Sequence, residues 1–269
     1  MPTTINTNML SLNAQRNLSA SQNVLSSAMQ RLSSGLRVNS AKDDAAGIAI
    51  ASRMDAQARG MSVAIRNAND ATSMVQTAEG ALATMSDIFQ RMRELAVQAA
   101  NPSNGTGDLT NLDAEYQELG AEVTRIATTT KFNGQAVIEA DAATFSFQVG
   151  ANSGDTLDVT TTDASAYLTL GDLTSNANAD TEIGALDTAM DSLNTDRATY
   201  GAALNRLNFT VTNLQNSYEN QASARGRIVD ADYAVETSNL TRAQVLQQAG
   251  TAMLAQANAA PNTVLSLLK

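Results

Sequence analysis

Between Ile50 and Ala99 the positions Ile50, Met54, Ala58, Met61, Ile65, Ala68, Thr72, Val75, Ala78, Leu82, Met85, Phe89, Met92, Ala96 and Ala99 follow one another by threes and fours. A repeat near 3.5 keeps one narrow face of an α-helix turned towards a partner along its whole length, which is how long helices pack in coiled-coil fashion. The chain is therefore expected to be mainly α. The rest of the sequence permits this, since only three prolines occur in 269 residues. Aromatics make up 4% and Trp is absent, a composition that suits thin helix-on-helix seams better than a thick core.

The other elements follow in order. Residues 4–34 predict a helix with Ile5, Met9 and Leu12, then Leu18, Leu25 and Leu32 seven apart, with Ser21, Ala28 and Gly35 three residues behind each. Its other faces are Asn, Gln and Ser, so alone it buries too little to offset its ordering, and it needs a partner. Asn101-Pro102 ends the long helix, and a short loop leads to an antiparallel neighbour from Asp108 along Leu109, Leu112, Tyr116, Leu119, Val123 and Ile126. Phe132-Asn133-Gly134 signals a turn. The alternations Phe145, Phe147, Val149 and Leu157, Val159 predict a β-hairpin within a polar stretch to about Asp180. A third long helix is expected over 181–225 and a last one over 235–268, with Leu246, Met253, Ala260 and Leu267 seven apart and a kink at Pro261. The outline is a chain folded about its middle, with both termini at one end and the β region at the other.

Charge divides the same sequence differently. Residues 1–42 contain no Asp or Glu, only Arg16, Arg31, Arg37 and Lys42, and from Thr237 onwards only Arg242 and Lys269 are charged. All 27 acids lie between, where the remaining 11 basic residues leave the middle at −16. Two readings of the acid-free ends stand side by side: segments that pack against copies of themselves without burying many ions, or low-charge flexible tails. The net charge of −10 argues against nucleic acid. The absence of Cys and His removes thiol nucleophiles, the usual zinc sites and imidazole bases. With no 18-residue apolar run, membrane insertion is not expected, and the first 20 residues lack the apolar block of a cleavable signal.

Between the acid-free start and the acidic middle lies a joint, Arg31 to Met54. Gly35 is placed to stop the first helix, Asn39 or Ser40 to cap the next, and Asp43 to bond back to the Ser40 amide. Adjacent carboxylates on a helix point apart, so Asp43 and Asp44 read as helix-end stabilisers rather than a catalytic or cation-binding pair. A break at 226–232 mirrors this joint on the return of the chain.

The run Arg31-Leu32-Ser33-Ser34-Gly35-Leu36-Arg37-Val38-Asn39-Ser40-Ala41-Lys42-Asp43-Asp44-Ala45-Ala46-Gly47, the segment Arg242-Ala243-Gln244-Val245-Leu246-Gln247-Gln248-Ala249-Gly250 and the ending Val264-Leu265-Ser266-Leu267-Leu268 resemble bacterial flagellin. The match covers about 220 residues in two end blocks and lapses from about 140 to 180, so the chain resembles a short form lacking large outer domains. The resemblance implies a secreted structural subunit, with no enzymatic activity and no cofactor, that self-assembles into the extracellular filament used for motility. It implies paired terminal helices (1–42 and 230–269) as an inner-tube domain disordered in the monomer, a helical bundle (43–138 and 180–229) and a short variable β region (139–179). Ile5, Met9, Leu12, Leu18, Leu25, Leu32, Leu246, Met253, Val264, Leu267 and Leu268 would then pack the filament.

The same resemblance implies type III export and, as partners, further copies of the chain, an export chaperone, cap and hook-associated proteins, and host innate immune receptors. Gln90, Arg91 and Leu95, with Glu115 on the next helix, match the patch through which Toll-like receptors recognise flagellins. For Arg91 and Arg93, a contact with the adjacent protofilament or a plain solvated face beside Met92 is the alternative reading. The C-terminal Val264, Leu265, Leu267 and Leu268 look like the motif sensed inside host cells and covered by the chaperone. The competing readings are a soluble coiled-coil adaptor or signalling protein and a hook-filament junction protein.

Overall fold

The computed structural model describes residues 7–139, 144–167 and 169–266, with the side chains of 261–266 left aside. Five helices carry the chain: α1 (Met9–Ser34), α2 (Ala45–Ala99), α3 (Thr106–Thr129), α4 (Asn176–Val229) and α5 (Tyr233–Ser266). Between α3 and α4 stand two antiparallel hairpins, β1 (Lys131–Phe132) with β2 (Gln135–Ala136) and β3 (Thr144–Gln148) with β4 (Thr156–Thr160), and a 3-10 turn at Ala164–Ala166. The molecule is mainly α, as the repeat at 50–99 predicts.

Two compact units emerge, Gln57–Glu219 and Met1–Ala56 with Asn220–Lys269. In the first, the long repeat becomes the core. Leu82, Met85, Phe89, Met92 and Leu95 of α2 meet Tyr116 of α3 and Leu186, Leu193, Tyr200 and Leu207 of α4, all essentially inaccessible to solvent. Each fully buried large side chain contributes about 1.5–3 kcal/mol relative to exposure. Ion pairs fix α2 against α4 across a hundred residues of sequence: Arg93 to Asp187 at 2.6 Å and Arg197 to Glu79 at 2.8 Å. The Asn176 side chain donates to the Ala99 and Asn101 carbonyls at 2.7 and 2.9 Å and so closes the C-terminus of α2.

The β region rests on these helices. In β3–β4 the pairs Phe145↔Val159 and Phe147↔Leu157 place their apolar side chains on one face, in the register that the alternation predicts. Asn67 of α2 donates to the Gln148 carbonyl at 2.9 Å. The β1–β2 turn is Asn133-Gly134, both with positive φ (49° and 80°), as a tight hairpin requires. Further along, the Tyr200 hydroxyl accepts from the Thr162 amide at 3.1 Å and Tyr167 donates to Asp196, pinning the segment after β4 to α4. Tyr116 donates to the buried Glu182 at 2.6 Å, and burial together with that carboxylate pushes the Tyr116 phenol far above its ordinary pKa.

Several expected boundaries shift. α4 begins at Asn176 rather than 181 and runs through Gly226 to Val229, so the second break is confined to Asp230–Asp232. A lone glycine costs a helix only about 1 kcal/mol, and the amide of Asp230 still bonds to the Gly226 carbonyl at 2.8 Å. α3 starts at Thr106, two residues early, because Asp108 reaches back to the Gly105 amide at 3.1 Å. α5 starts at Tyr233 and continues through Pro261 to Ser266.

Candidate functional site

The second unit holds the two acid-free ends, and its backbone explains the joint. Gly35 closes α1 in the left-handed conformation at φ 71°, its amide bonded to the Arg31 carbonyl at 2.8 Å. From there the chain pairs with the other break. Leu36 and Asp230 form an antiparallel bridge, the Arg37 amide donates to the Val229 carbonyl at 2.6 Å, and the Ala231 amide donates to the Gly35 carbonyl at 2.9 Å. The two breaks thus satisfy each other's backbone groups.

The cap of α2 differs from the one expected. The helix begins at Ala45, and Asp44, not Asn39 or Ser40, accepts from the first turn, through the Gly47 amide at 2.8 Å. Asp43 does reach back, to the Ser40 hydroxyl at 3.0 Å and the Ser40 and Asn39 amides at 2.9 and 3.2 Å, but these bonds close a separate turn ahead of the helix. They hold the Asp43 carboxyl below its ordinary value, the Ser40 hydroxyl foremost. Two tandem Asp residues competing for the same helix start leave the choice open in sequence; the nearer one prevails because its side chain is one residue from the first helical position.

α1 and α5 lie antiparallel. Asn8 donates to the Ala257 carbonyl at 2.7 Å, the Ser11 hydroxyl to Asn258 at 2.7 Å, and Arg31 pairs with Glu236 at 2.9 Å. The α1 row that faces inward is Ala14, Leu18, Ser21, Leu25, Ala28, Leu32 and Gly35. The α5 row opposite is Glu236, Leu240, Ala243, Gln247, Gly250, Leu254 and Ala257, while Leu246 and Met253, expected to pack the filament, lie off that row. The physical reason is size. Ala243, Gly250 and Ala257 recur every seven residues opposite the large α1 row, and a Cβ on Gly250 would stand 3.3 Å from Leu18 Cδ1. Small residues let the helix axes approach.

The larger side chains are left outside. Met9, Leu10, Leu12, Val24 and Met29 on α1, and Val245, Leu246 and Met253 on α5, are all about half exposed or more. Leu10, Leu18, Leu246 and Met253 line a groove of about 670 Å³ along the pair. Of the other residues expected to pack a filament, Ile5, Leu267 and Leu268 lie outside the described residues, and Val264 falls in α5 with its side chain undescribed.

In the other unit, Gln90, Arg91 and Glu115 are exposed. Arg91 bonds to Glu115 at 2.7 Å and to Glu94 at 3.1 Å, which raises the guanidinium pKa further, Glu115 foremost. Leu95 does not belong there. It is 1% exposed and sits in the core, since it shares the helical row of Met85 and Met92, so no partner reaches it in this structure.

A bundle whose polar groups are paired, together with a helix pair whose apolar face is unfinished, describes a structural building block. Among the described residues no cluster of acidic side chains is arranged to hold a metal ion, and no helix is long and apolar enough to cross a membrane. The bacterial flagellin N-terminal helical region matches residues 5–143 and the C-terminal helical region residues 183–268. A flagellin of Halalkalibacterium halodurans is 46% identical over 98% of this chain and 99% of its own, and one of Xenorhabdus nematophila is 42% identical over 100% of both. The crystal structure of Bacillus cereus flagellin aligns with 60% of this chain and 94% of its own at 39% identity and a TM-score of 0.53. A putative flagellar hook-associated protein from Vibrio parahaemolyticus covers 70% of this chain and 100% of its own at a TM-score of 0.60 but 14% identity, a likeness of fold alone. The chain belongs to the bacterial flagellins. It is a structural protein without enzymatic activity, an extracellular subunit that self-assembles into the homopolymeric flagellar filament.

Proposed function

We propose that the α1–α5 pair is the polymerising element, that the bundle of 43–138 and 180–229 is the part that folds by itself, and that 139–179 forms its variable surface. One observation carries this reading: the half-exposed apolar side chains on α1 and α5, Met9, Leu10, Leu12, Val24, Met29, Val245, Leu246 and Met253, belong to helices whose mutual seam leaves even its own leucines half-buried. Burying that surface against neighbouring copies supplies the stabilisation the pair lacks alone. Axial growth requires a heterologous contact that does not close on itself. The joint, with Gly35 stopping α1 and its backbone bridged to Asp230, is the boundary between the two behaviours.

The same apolar ends suit the remaining partners. Before assembly, secretion through the export apparatus requires that this surface be covered, and a chaperone holding the C-terminal segment around Val264 does so. Cap and hook-associated proteins meet the surfaces that copies use. Gln90, Arg91 and Glu115, exposed and charged, are available to host receptors or to an adjacent protofilament. The test is electron microscopy of purified protein seeded with filament fragments, comparing the full chain with chains lacking residues 1–40 or 236–269. The truncated chains are expected to remain folded in the bundle, by circular dichroism, and to grow no filaments. Growth by either truncated chain overturns the assignment.

A further inference from the structure

The described methionines range from fully buried to well exposed. Met74, Met85 and Met92 are 4%, 0% and 0% exposed within the bundle core, whereas Met9, Met29 and Met253 are 61%, 51% and 65% exposed on α1 and α5. Met54, Met61 and Met190 lie between, half-buried. The three most exposed thioethers therefore all lie on the helices with the unfinished apolar face. Met253 also forms a wall of the groove shared with Leu10, Leu18 and Leu246.

Thioethers are the side chains that hydroperoxides oxidise reversibly, and a sulfoxide turns a flexible apolar group into a polar one that disrupts methionine-bearing interfaces. We propose that Met253, with Met9 and Met29, is a reversible oxidation site through which hydroperoxides halt assembly of the free subunit. This rests on the reading of the α1–α5 pair as the polymerising element. In the reaction, the sulfur lone pair of Met253 attacks one peroxide oxygen and the O–O bond breaks. Sulfur gains one oxygen atom, and the peroxide is reduced to water, or to an alcohol if it is organic. The new S=O is a strong acceptor in a groove whose walls are mostly apolar. Seating a second copy there would bury a polar group where an apolar one packed, and the few donors lining the groove, Asn13, Asn17, Ser21 and Gln256, would have to turn from their own places to meet it. Once the groove is filled by a neighbour, the same sulfur is shielded, so the filament resists the oxidant that stops the monomer.

The experiment treats monomer and preformed filament with hydrogen peroxide, maps each methionine by mass spectrometry and then measures seeded growth. Met9, Met29 and Met253 of the monomer are expected to oxidise at least about tenfold faster than Met74, Met85 and Met92, and the concentration needed for growth to rise by at least about tenfold. Methionine sulfoxide reductases should restore growth, and the triple variant Met9→Leu, Met29→Leu, Met253→Leu, with unchanged helix content, should grow after peroxide as it does before. Equal oxidation of buried and exposed methionines, normal growth of the oxidised protein, or equal inhibition of the triple variant overturns the proposal. Met253→Glu separates the layers. If it blocks growth while the sulfoxide does not, the oxidation site alone falls. If it too grows normally, the groove is not a polymerising surface, and both readings fall.

Discussion

The bundle and the terminal pair are built from the same seven-residue grammar and end in opposite states. In the bundle, the row from Met74 to Ala99 is capped by aromatics and leucines from α3 and α4, and its large side chains are inside. In the α1–α5 pair the most buried residues are Ser11, Ala28, Glu236 and Ala243; Leu18, Leu25, Leu32, Leu240 and Leu254 face the seam but are half-buried, and Met9, Leu10, Leu246 and Met253 are outside. The difference lies in which residues occupy the facing row. A row of Leu, Met, Phe and Tyr enclosed by two further helices makes a core; Leu18, Leu25 and Leu32 set against Ala243, Gly250 and Ala257 of a single partner helix are covered only in part, which leaves the hydrophobic effect to be satisfied elsewhere.

The contrast breaks most easily at Phe89. Phe89→Ala should cost about 3–5 kcal/mol in denaturant unfolding of the bundle. Leu25→Ala in the α1 row should leave that transition within about 0.5 kcal/mol of its original value while slowing seeded growth. Equal losses from the two substitutions would mean that the pair is as fully packed as the bundle. Next in size is Tyr116→Phe, which takes the hydroxyl from buried Glu182 and leaves it the Gly171 amide at 3.4 Å; it should cost about 1–3 kcal/mol. Gly35→Ala should cost about 1–2 kcal/mol in the terminal pair, because its φ of 71° is strained for any residue with a Cβ. Arg31→Ala, at the half-buried pair with Glu236, should weaken the α1–α5 pair by about 1 kcal/mol or less, read as faster hydrogen exchange in α1 of the assembled filament.

The smallest effect is that of acid. Arg93 holds the Asp187 carboxyl below its ordinary value of 3.8, and the Ser40 hydroxyl does the same for Asp43. Because both folded values are lowered, their stabilisation is fully present above that ordinary value and is lost as pH falls through the lowered ones. Both groups are on the surface, so the effect on unfolding below about pH 4 should be slight and weaker still in salt.

Much of this was legible in the residues. The period over 50–99 leads to α2, Asn133-Gly134 to a hairpin turn, and the Phe145–Val159 alternation to β3–β4. Less legible were the ends of helices, where competing groups sit within two or three residues, as Ser40, Asp43 and Asp44 do. Which row of α5 meets α1 was not legible for a more general reason. Periodicity marks where large apolar residues recur, and in α5 they recur on two rows, Leu240 and Leu254 towards α1 and Leu246 and Met253 off that row. The signal that identifies the seam is the seven-residue spacing of Ala243, Gly250 and Ala257, read against Leu18, Leu25 and Leu32 in the opposite helix. Leu95 illustrates the converse: it lies five residues from Gln90 in sequence, yet a helix turns it inward.

The central claim is that the α1–α5 pair completes its stability only by joining other copies. Amide hydrogen exchange measured on the monomer and on the filament tests it most directly. The account predicts rapid exchange throughout α1 and α5 in the monomer, slow exchange from Met61 to Phe89, and protection of both in the filament. Protection of α1 and α5 in the monomer equal to that of the bundle would contradict it.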